Sequence, residues 1–145
     1  MYRMQSPQVR YYMQRDPEKE ATRWLKQALR DLDDAIYNLE GARHNIACFI
    51  AQQATEKALK AFLILRGNQD PWGHSVAELC NDAAQIDSTF GDLLPVVAPL
   101  DKFYIPTRYP NGLPGGIPSD AFSQQDAETA VNTASTLIEH VGKRI

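Results

Sequence analysis

The chain has 145 residues, 43% of them apolar, and a formal net charge of −3. This length fits one domain, and the apolar fraction is too high for a disordered chain. The sequence has neither the roughly 18 consecutive apolar residues of a membrane span nor the apolar core of a secretory signal, so we expect a cytoplasmic protein.

Charge is unevenly distributed along the chain. Residues 1–15 contain three arginines and no acidic residue, so the remaining residues carry a net charge of −6. Such an acidic body argues against broad, nonspecific binding to duplex nucleic acid, because affinity for phosphate comes mainly from cations. We interpret residues 1–16 as a basic and aromatic arm: either a loose tail, or a segment that clamps a second subunit or stacks on nucleobases. Residues 17–145 form the predicted domain.

Two long helices are predicted in the first half of the domain. Asp16-Pro17-Glu18 is typical of a helix start, with a capping side chain, proline at the first position and an acid in the first turn. This helix is expected to end near Gly41, and Asn45 is expected to cap a second helix that ends at Gly67. Apolar residues recur in both at steps of three and four. Because the link is short, the two helices should pack antiparallel, brought close by alanines of the second.

The middle of the chain is predicted to be less regular. Residues 67–74 (GNQDPWGH) have the composition of a loop. Ser75 and Glu78 have the spacing of a capping box that opens a short helix. Helical spacing of apolar residues continues over 91–105, where Pro99 should break the helix and Pro95 is acceptable in a first turn.

The last part is predicted to be a shaped loop followed by a helix. Residues 106–118 (PTRYPNGLPGGIP) contain four prolines and three glycines, a composition that disfavours regular structure. Ser123 and Asp126 form a second capping box, which opens the last helix. The pattern predicts an all-α fold, an up-and-down bundle of four to five helices with a Pro/Gly-rich loop before the last one.

The sequence indicates no metal site and no cofactor. Cys48 and Cys80 lie within apolar helical patterns and are expected to be buried and unpaired. Glu40 and His44 have helical spacing, but no second pair of ligands accompanies them, as a di-metal bundle would require.

The segment AQQATEKALKAFLILRG, residues 51–67, followed by His74, resembles the signature of HEPN domains (higher eukaryotes and prokaryotes nucleotide-binding). Tyr104 with Thr107-Arg108-Tyr109-Pro110 is similar to the tyrosine and RYP element that precedes the last helix in that family. The resemblance covers roughly residues 17–143. It implies a helical bundle that commonly dimerises through its long helices, and several functions: nucleotide binding, partnership with a minimal nucleotidyltransferase in a toxin–antitoxin pair, or metal-independent ribonuclease activity.

The ribonuclease function requires a motif that is not intact here. Active members of the family resemble one another in an arginine, a polar residue and, after four to six intervening residues, a histidine. Arg108 stands where that arginine is expected, but no histidine occurs between it and His140. The expected acid or base of 2′-hydroxyl chemistry is therefore missing from its usual place. We predict no catalytic residues, and a binding module rather than an enzyme.

The predicted function is binding of a nucleotide or RNA phosphate by a homodimer. The predicted ligand-binding residues are Arg108, Tyr109, Lys57, Lys60, His74 and Tyr104. The guanidinium group of Arg108 is suited to gripping a phosphate beside a tyrosine ring. Two alternatives stay open, a scaffold that docks a nucleotidyltransferase and a ribonuclease with a degenerate motif.

Each of these residues also has a purely structural interpretation. Arg108 is equally suited to tying the loop to helix carbonyls or to a carboxylate such as Asp101 or Asp120. His74 is suited to completing a helix cap or to forming a hydrogen bond across the bundle. Lys57 and Lys60, together with Glu56, have the spacing of a solvated helix face that neutralises its own charge.

Overall fold

The computed structural model describes residues 16–68 and 70–145, and within them it confirms the all-α class, with helices and no strand. This part of the chain forms six α-helices: α1 (Pro17–Glu40), α2 (His44–Leu65), α3 (Val76–Ile86), α4 (Phe90–Val97), α5 (Pro118–Ala121) and α6 (Gln124–Gly142). Two 3-10 helices, Ala98–Phe103 and Pro110–Gly112, lie between α4 and α5. None of these helices is long and apolar enough to cross a bilayer. The predicted arm lies outside the described residues, except for Asp16.

The helices α1 and α2 pack against each other as an antiparallel pair. Asp16 caps α1 as predicted, since its carboxylate accepts a hydrogen bond of 2.9 Å from the backbone N–H of Glu18. Residues late in α2 meet residues early in α1: the ammonium group of Lys60 lies 6.0 Å from the ring centre of Trp24. Helix α6 packs across both helices, and its predicted capping box is complete.

The alanines of α2 lie in the core of the single chain. Ala51, Ala54 and Ala58 are fully buried, and they pack with Ala28 and Ala35 of α1 in one apolar cluster. Small side chains allow the helix backbones to approach closely. This stripe therefore serves packing within the chain and is not a free surface for a second subunit.

The structure corrects two details of the predicted helices. Asn45 does not cap α2; the helix begins at His44 without a side-chain cap. Pro95 lies inside α4 rather than in its first turn, because the helix starts at Phe90. The break expected at Pro99 is found, since α4 ends at Val97 and continues as a 3-10 helix.

Two polar contacts hold the loop regions against the bundle. The side-chain amide of Asn45 donates to the backbone carbonyl of Thr107 at 3.0 Å, which ties the loop before α5 to the start of α2. The carboxylate of Asp101 accepts hydrogen bonds of 2.7 Å from the Ser75 hydroxyl and the Val76 backbone N–H. Asp101 is thus occupied at the N-terminus of α3. Residues 106–118 are not wholly irregular, because they include the 3-10 helix Pro110–Gly112 and the first residue of α5.

Candidate functional site

Arg108 lies in a nest of aromatic rings and pairs with no carboxylate among the described residues. Its Nε and Nη2 donate to the backbone carbonyl of Tyr104, at 2.9 and 2.6 Å. Its Cζ lies 4.4 Å from the ring centre of Phe49, 4.8 Å from that of Tyr104 and 5.1 Å from that of Tyr109. The expected tie to a helix-end carbonyl is therefore present, and the expected tie to Asp101 or Asp120 is absent. The guanidinium contacts rings and a carbonyl, and no carboxylate of residues 16–68 and 70–145 neutralises its charge.

His74 connects this cluster to a buried carboxylate. Its ring stacks on Tyr104, with ring centres 4.9 Å apart and planes 19° from parallel. Its Nδ1 lies 3.1 and 3.3 Å from the two carboxylate oxygens of Glu56. An ionised carboxylate only accepts hydrogen bonds, so Nδ1 is the donor in this contact, and in a neutral imidazole this leaves Nε2 as the acceptor. The His74 side chain is 60% exposed, so a ligand can reach it.

Glu56 and Gln52 position His74 from within α2. Glu56 is 6% exposed and Gln52 is fully buried. The Gln52 amide donates to the backbone carbonyl of His74 at 2.9 Å, while the Glu56 carboxylate accepts from the His74 ring. Buried polar groups need such partners to offset the loss of water. Both therefore fix the loop that carries His74 to the rigid helix.

The two predicted lysines both form ion pairs within the chain. The Lys60 ammonium lies 3.1 Å from the Glu56 carboxylate, and both side chains are almost entirely buried. The Lys57 ammonium pairs with the Asp31 carboxylate across α1 and α2. Glu56 and Lys60 neutralise each other as the spacing predicts, but the two side chains are buried rather than solvated, and Lys57 pairs with Asp31 of α1 instead.

The family profile of the HEPN domain matches residues 21–145, nearly all of the described helical bundle. The chain belongs to the HEPN family. No curated protein matches this HEPN chain.

Three solved structures share the fold along most of the HEPN chain. The protein TT1696 from Thermus thermophilus is 38% identical, with a TM-score of 0.81, and the match covers 86% of this chain and 98% of that one. ST0689, an archaeal HEPN homologue, is 34% identical, with a TM-score of 0.71 and coverage of 86% and 96%. A HEPN domain protein of Thermotoga maritima, tm0613, is 29% identical, with a TM-score of 0.64 and coverage of 83% and 95%.

The HEPN fold brings five of the six predicted site residues into one connected cluster. Arg108 and His74 both contact the ring of Tyr104, and Tyr109 flanks Arg108. Lys60 joins this cluster through the carboxylate it shares with His74. Lys57 does not, since its partner is Asp31. Nowhere in residues 16–68 and 70–145 do three His, Cys, Asp or Glu side chains converge as metal ligands would.

Glu56, Gln52 and Phe49 were not among the predicted site residues. Glu56 lies one helical turn before Lys60, so their spacing predicts an ion pair, but the spacing does not indicate that the pair is buried. Phe49 and Gln52 share the helical face of Glu56 by their spacing of three and four residues. Polar residues that recur along a helix whose other sides are apolar indicate a buried polar cluster.

Proposed function

We propose that this HEPN domain binds a nucleotide or an RNA phosphate at Arg108, beside the rings of Tyr104 and Tyr109 and the imidazole of His74. One observation carries the proposal: the guanidinium of Arg108 has no acidic partner in the described part of the chain, although the body of the protein is acidic. An unneutralised guanidinium held by rings is a preorganised partner for a phosphate.

The aromatic rings beside Arg108 are suited to stacking on nucleobases. Tyr109 is half exposed, and Tyr104 is partly buried between His74 and Arg108. Rings of this kind form stacking platforms for bases, and a stacked arginine contributes a cation–π contact. A phosphate at Arg108 would leave a neighbouring base of the same RNA within reach of the exposed Tyr109 ring.

The lysines have a secondary place in this proposal. Lys57 and Lys60 already hold carboxylates, so a phosphate would compete with Asp31 and Glu56 for their ammonium groups. Their positive charge contributes to the local field, but the direct contact is proposed for Arg108. Replacing Lys57 with alanine should therefore reduce affinity less than replacing Arg108.

Titration of labelled ribonucleotides and short RNAs into the wild type and the Arg108→Ala variant tests the proposal. We expect saturable binding that weakens as salt rises, and an affinity at least about tenfold lower in the variant, as for loss of a hydrogen bond to a charged group. Arg30→Ala is the matched control, because Arg30 is an exposed arginine on α1 whose partner is Asp34. Equal affinity in wild type and Arg108→Ala would remove Arg108 from the site.

Ribonuclease activity is a second candidate, favoured by the geometry of His74. A ring fixed by a buried carboxylate through Nδ1 resembles the oriented bases of acid–base catalysis. Its Nε2 would accept the 2′-hydroxyl proton as the 2′-oxygen attacks the neighbouring phosphorus, with the 5′-oxygen leaving and taking a proton from solvent. Arg108 would stabilise the charge on phosphorus. Cleavage of end-labelled RNA to a 2′,3′-cyclic product by the wild type but not by His74→Ala would support this candidate; equal cleavage by both would reveal a contaminant.

A further inference from the structure

Both tryptophans of the chain line a cavity next to the proposed site. The cavity has a volume of about 300 Å³ and lies between the start of α1, the end of α2 and residues 70–74. Trp24 and Trp72 contribute their rings, and Asp70, Lys60 and His74 contribute polar groups. Ligand pockets of this size are at the small end of the usual range. The cavity therefore suits a small planar group.

The aromatic walls differ in how firmly they are held. Trp24 is partly buried, and its indole Nε1 donates to the Glu20 carboxylate at 3.4 Å. Trp72 is 89% exposed at the rim. A large exposed aromatic side chain beside a cavity is typical of a surface that a ligand or partner covers. A planar base that stacks on Trp24 would also contact the exposed ring of Trp72.

The polar groups of the cavity differ in the hydrogen bonds and ion pairs that they make within the described part of the chain. The Lys60 ammonium is paired with Glu56, and Glu20 is engaged by Arg23 and the Trp24 indole. The Asp70 side chain makes no hydrogen bond or ion pair among the described residues, although its backbone N–H is held by Asn68 at 3.3 Å. A carboxylate has two acceptor oxygens and no donor. The cavity thus favours a guest whose edge presents N–H donors.

His74 joins the cavity to the phosphate site. It lines the cavity and also stacks on Tyr104 beside Arg108. A ligand with its base in the cavity would therefore extend along one continuous surface towards Arg108. Lys60 adds a donor to the cavity, since an ammonium has three hydrogens and Glu56 takes one of them.

We propose that this cavity is a base subsite that prefers guanine. Guanine offers N1–H and N2–H₂ side by side, which match the two oxygens of Asp70, and its O6 accepts from a cation such as Lys60. Adenine and cytosine each offer one amino group, and uracil offers a single imino N–H. This inference rests on the proposed nucleotide binding, because it assigns the base half of the same ligand.

Intrinsic tryptophan fluorescence measures binding in this cavity directly, since both tryptophans lie there. We would titrate GMP, AMP, CMP, UMP and guanosine into the full chain, with calorimetry in parallel and free N-acetyltryptophanamide as the control for light absorbed by the nucleotides. GMP should quench the fluorescence and bind about tenfold more tightly than AMP, the factor expected for one more charge-assisted hydrogen bond. In Asp70→Asn this preference should largely disappear, while binding of AMP should change little.

The outcomes separate this inference from the proposed function. Equal affinity for all four nucleotides, or binding without any change in fluorescence, would overturn the guanine subsite and leave phosphate binding at Arg108 intact. Guanosine binding as tightly as GMP, with no loss in Arg108→Ala, would overturn the phosphate site and leave the base subsite intact. Absence of any binding would overturn both.

Discussion

At the residue scale, contacts with Lys60 and His74 place Glu56 at the centre of the site. Its carboxylate holds the Lys60 ammonium and the His74 ring, and the side chains of Glu56 and Lys60 are both almost out of contact with water. Removing one member of a buried ion pair leaves the other charge without compensation. The pair therefore matters more for stability than an exposed pair such as Arg30 with Asp34.

The variant Glu56→Gln should be strongly destabilised. We expect the free energy of unfolding to fall by about 3–5 kcal/mol, because the buried Lys60 ammonium loses its partner. Chemical denaturation measures this change. The double variant Glu56→Gln/Lys60→Met should recover much of the loss, since no unpaired charge remains. A single variant as stable as the wild type would show that the pair is open to water.

Both thiols should be inert in the folded protein. Burial, with a smaller effect of the Asp126 carboxylate, raises the pKa of Cys48 to about 12, and burial raises the pKa of Cys80 to about 11. A raised pKa means less thiolate, so at pH 8 roughly one thiol in a thousand or fewer is in the reactive form. Alkylation by iodoacetamide should be slow in buffer and fast in denaturant. Rapid reaction of the native protein would contradict the burial of these cysteines.

Part of the site was predictable from single residues, and part was not. Arg108, Tyr104 and Tyr109 are close in sequence, so their clustering follows from one loop. The burial of Asp31 and Glu56 and the meeting of Trp24 with Trp72 depend on how distant segments pack. Asp31 is buried although its neighbours Arg30 and Asp33 are exposed.

At the element scale, Asp101 is a helix cap supplied from a distant part of the chain. Its carboxylate contacts the Ser75 hydroxyl and the N–H groups of Val76 and Ala77, the first residues of α3. A carboxylate at this position satisfies free N–H groups and opposes the positive end of the helix dipole. It also joins α3 to the 3-10 helix that precedes Tyr104, and so holds both sides of the site together.

Asp101→Ala should destabilise the fold by about 1–2 kcal/mol, the usual cost of losing a cap. Thermal unfolding measures the loss as a lower Tm. Asp92→Ala is the matched control, because Asp92 is an exposed acid in the first turn of α4. Equal destabilisation of the two variants would show that Asp101 contributes no more than the general preference for acids at helix starts.

The long helices were predictable and the shorter elements were only partly so. Steps of three and four between apolar residues defined α1, α2 and α6. Helices α1 and α6 bury one face in the common core, whereas α2 is buried on all sides over residues 58–64. Asn45 has the composition of a cap, yet its amide binds the carbonyl of Thr107, a contact over 62 positions that local sequence does not reveal. The 3-10 helix at Pro110–Gly112 likewise forms where composition alone favoured a loop.

At the scale of the whole molecule, α1 carries the exposed apolar surface that the predicted dimer would require. Leu29 and Ile36 are partly exposed, and Tyr37 is largely exposed. The spacing of seven residues between Leu29 and Ile36 places them on one side of the helix. Because the alanine stripe of α2 is buried within the chain, the dimer proposed from the family resemblance is more consistent with α1.

Light scattering of the wild type at micromolar concentration should give twice the chain mass of 16.3 kDa. The double variant Leu29→Lys/Ile36→Lys should be monomeric, because it introduces charge into the predicted interface. Far-ultraviolet circular dichroism should remain that of a helical bundle. A monomeric wild type would remove the dimer from the account, and a dimeric double variant would remove α1 from the interface.

Because the molecule as a whole is acidic, binding of an anionic ligand depends on the local positive charge at Arg108. Nuclear magnetic resonance of the ¹⁵N-labelled protein titrated with GMP tests it most directly, because it shows which residues meet the ligand. We predict saturable shifts of the Arg108 side-chain N–H and of the backbone N–H groups of Tyr104, Tyr109 and His74, and loss of these backbone shifts in Arg108→Ala. Saturable shifts confined to other residues, or none at millimolar nucleotide, would contradict the account.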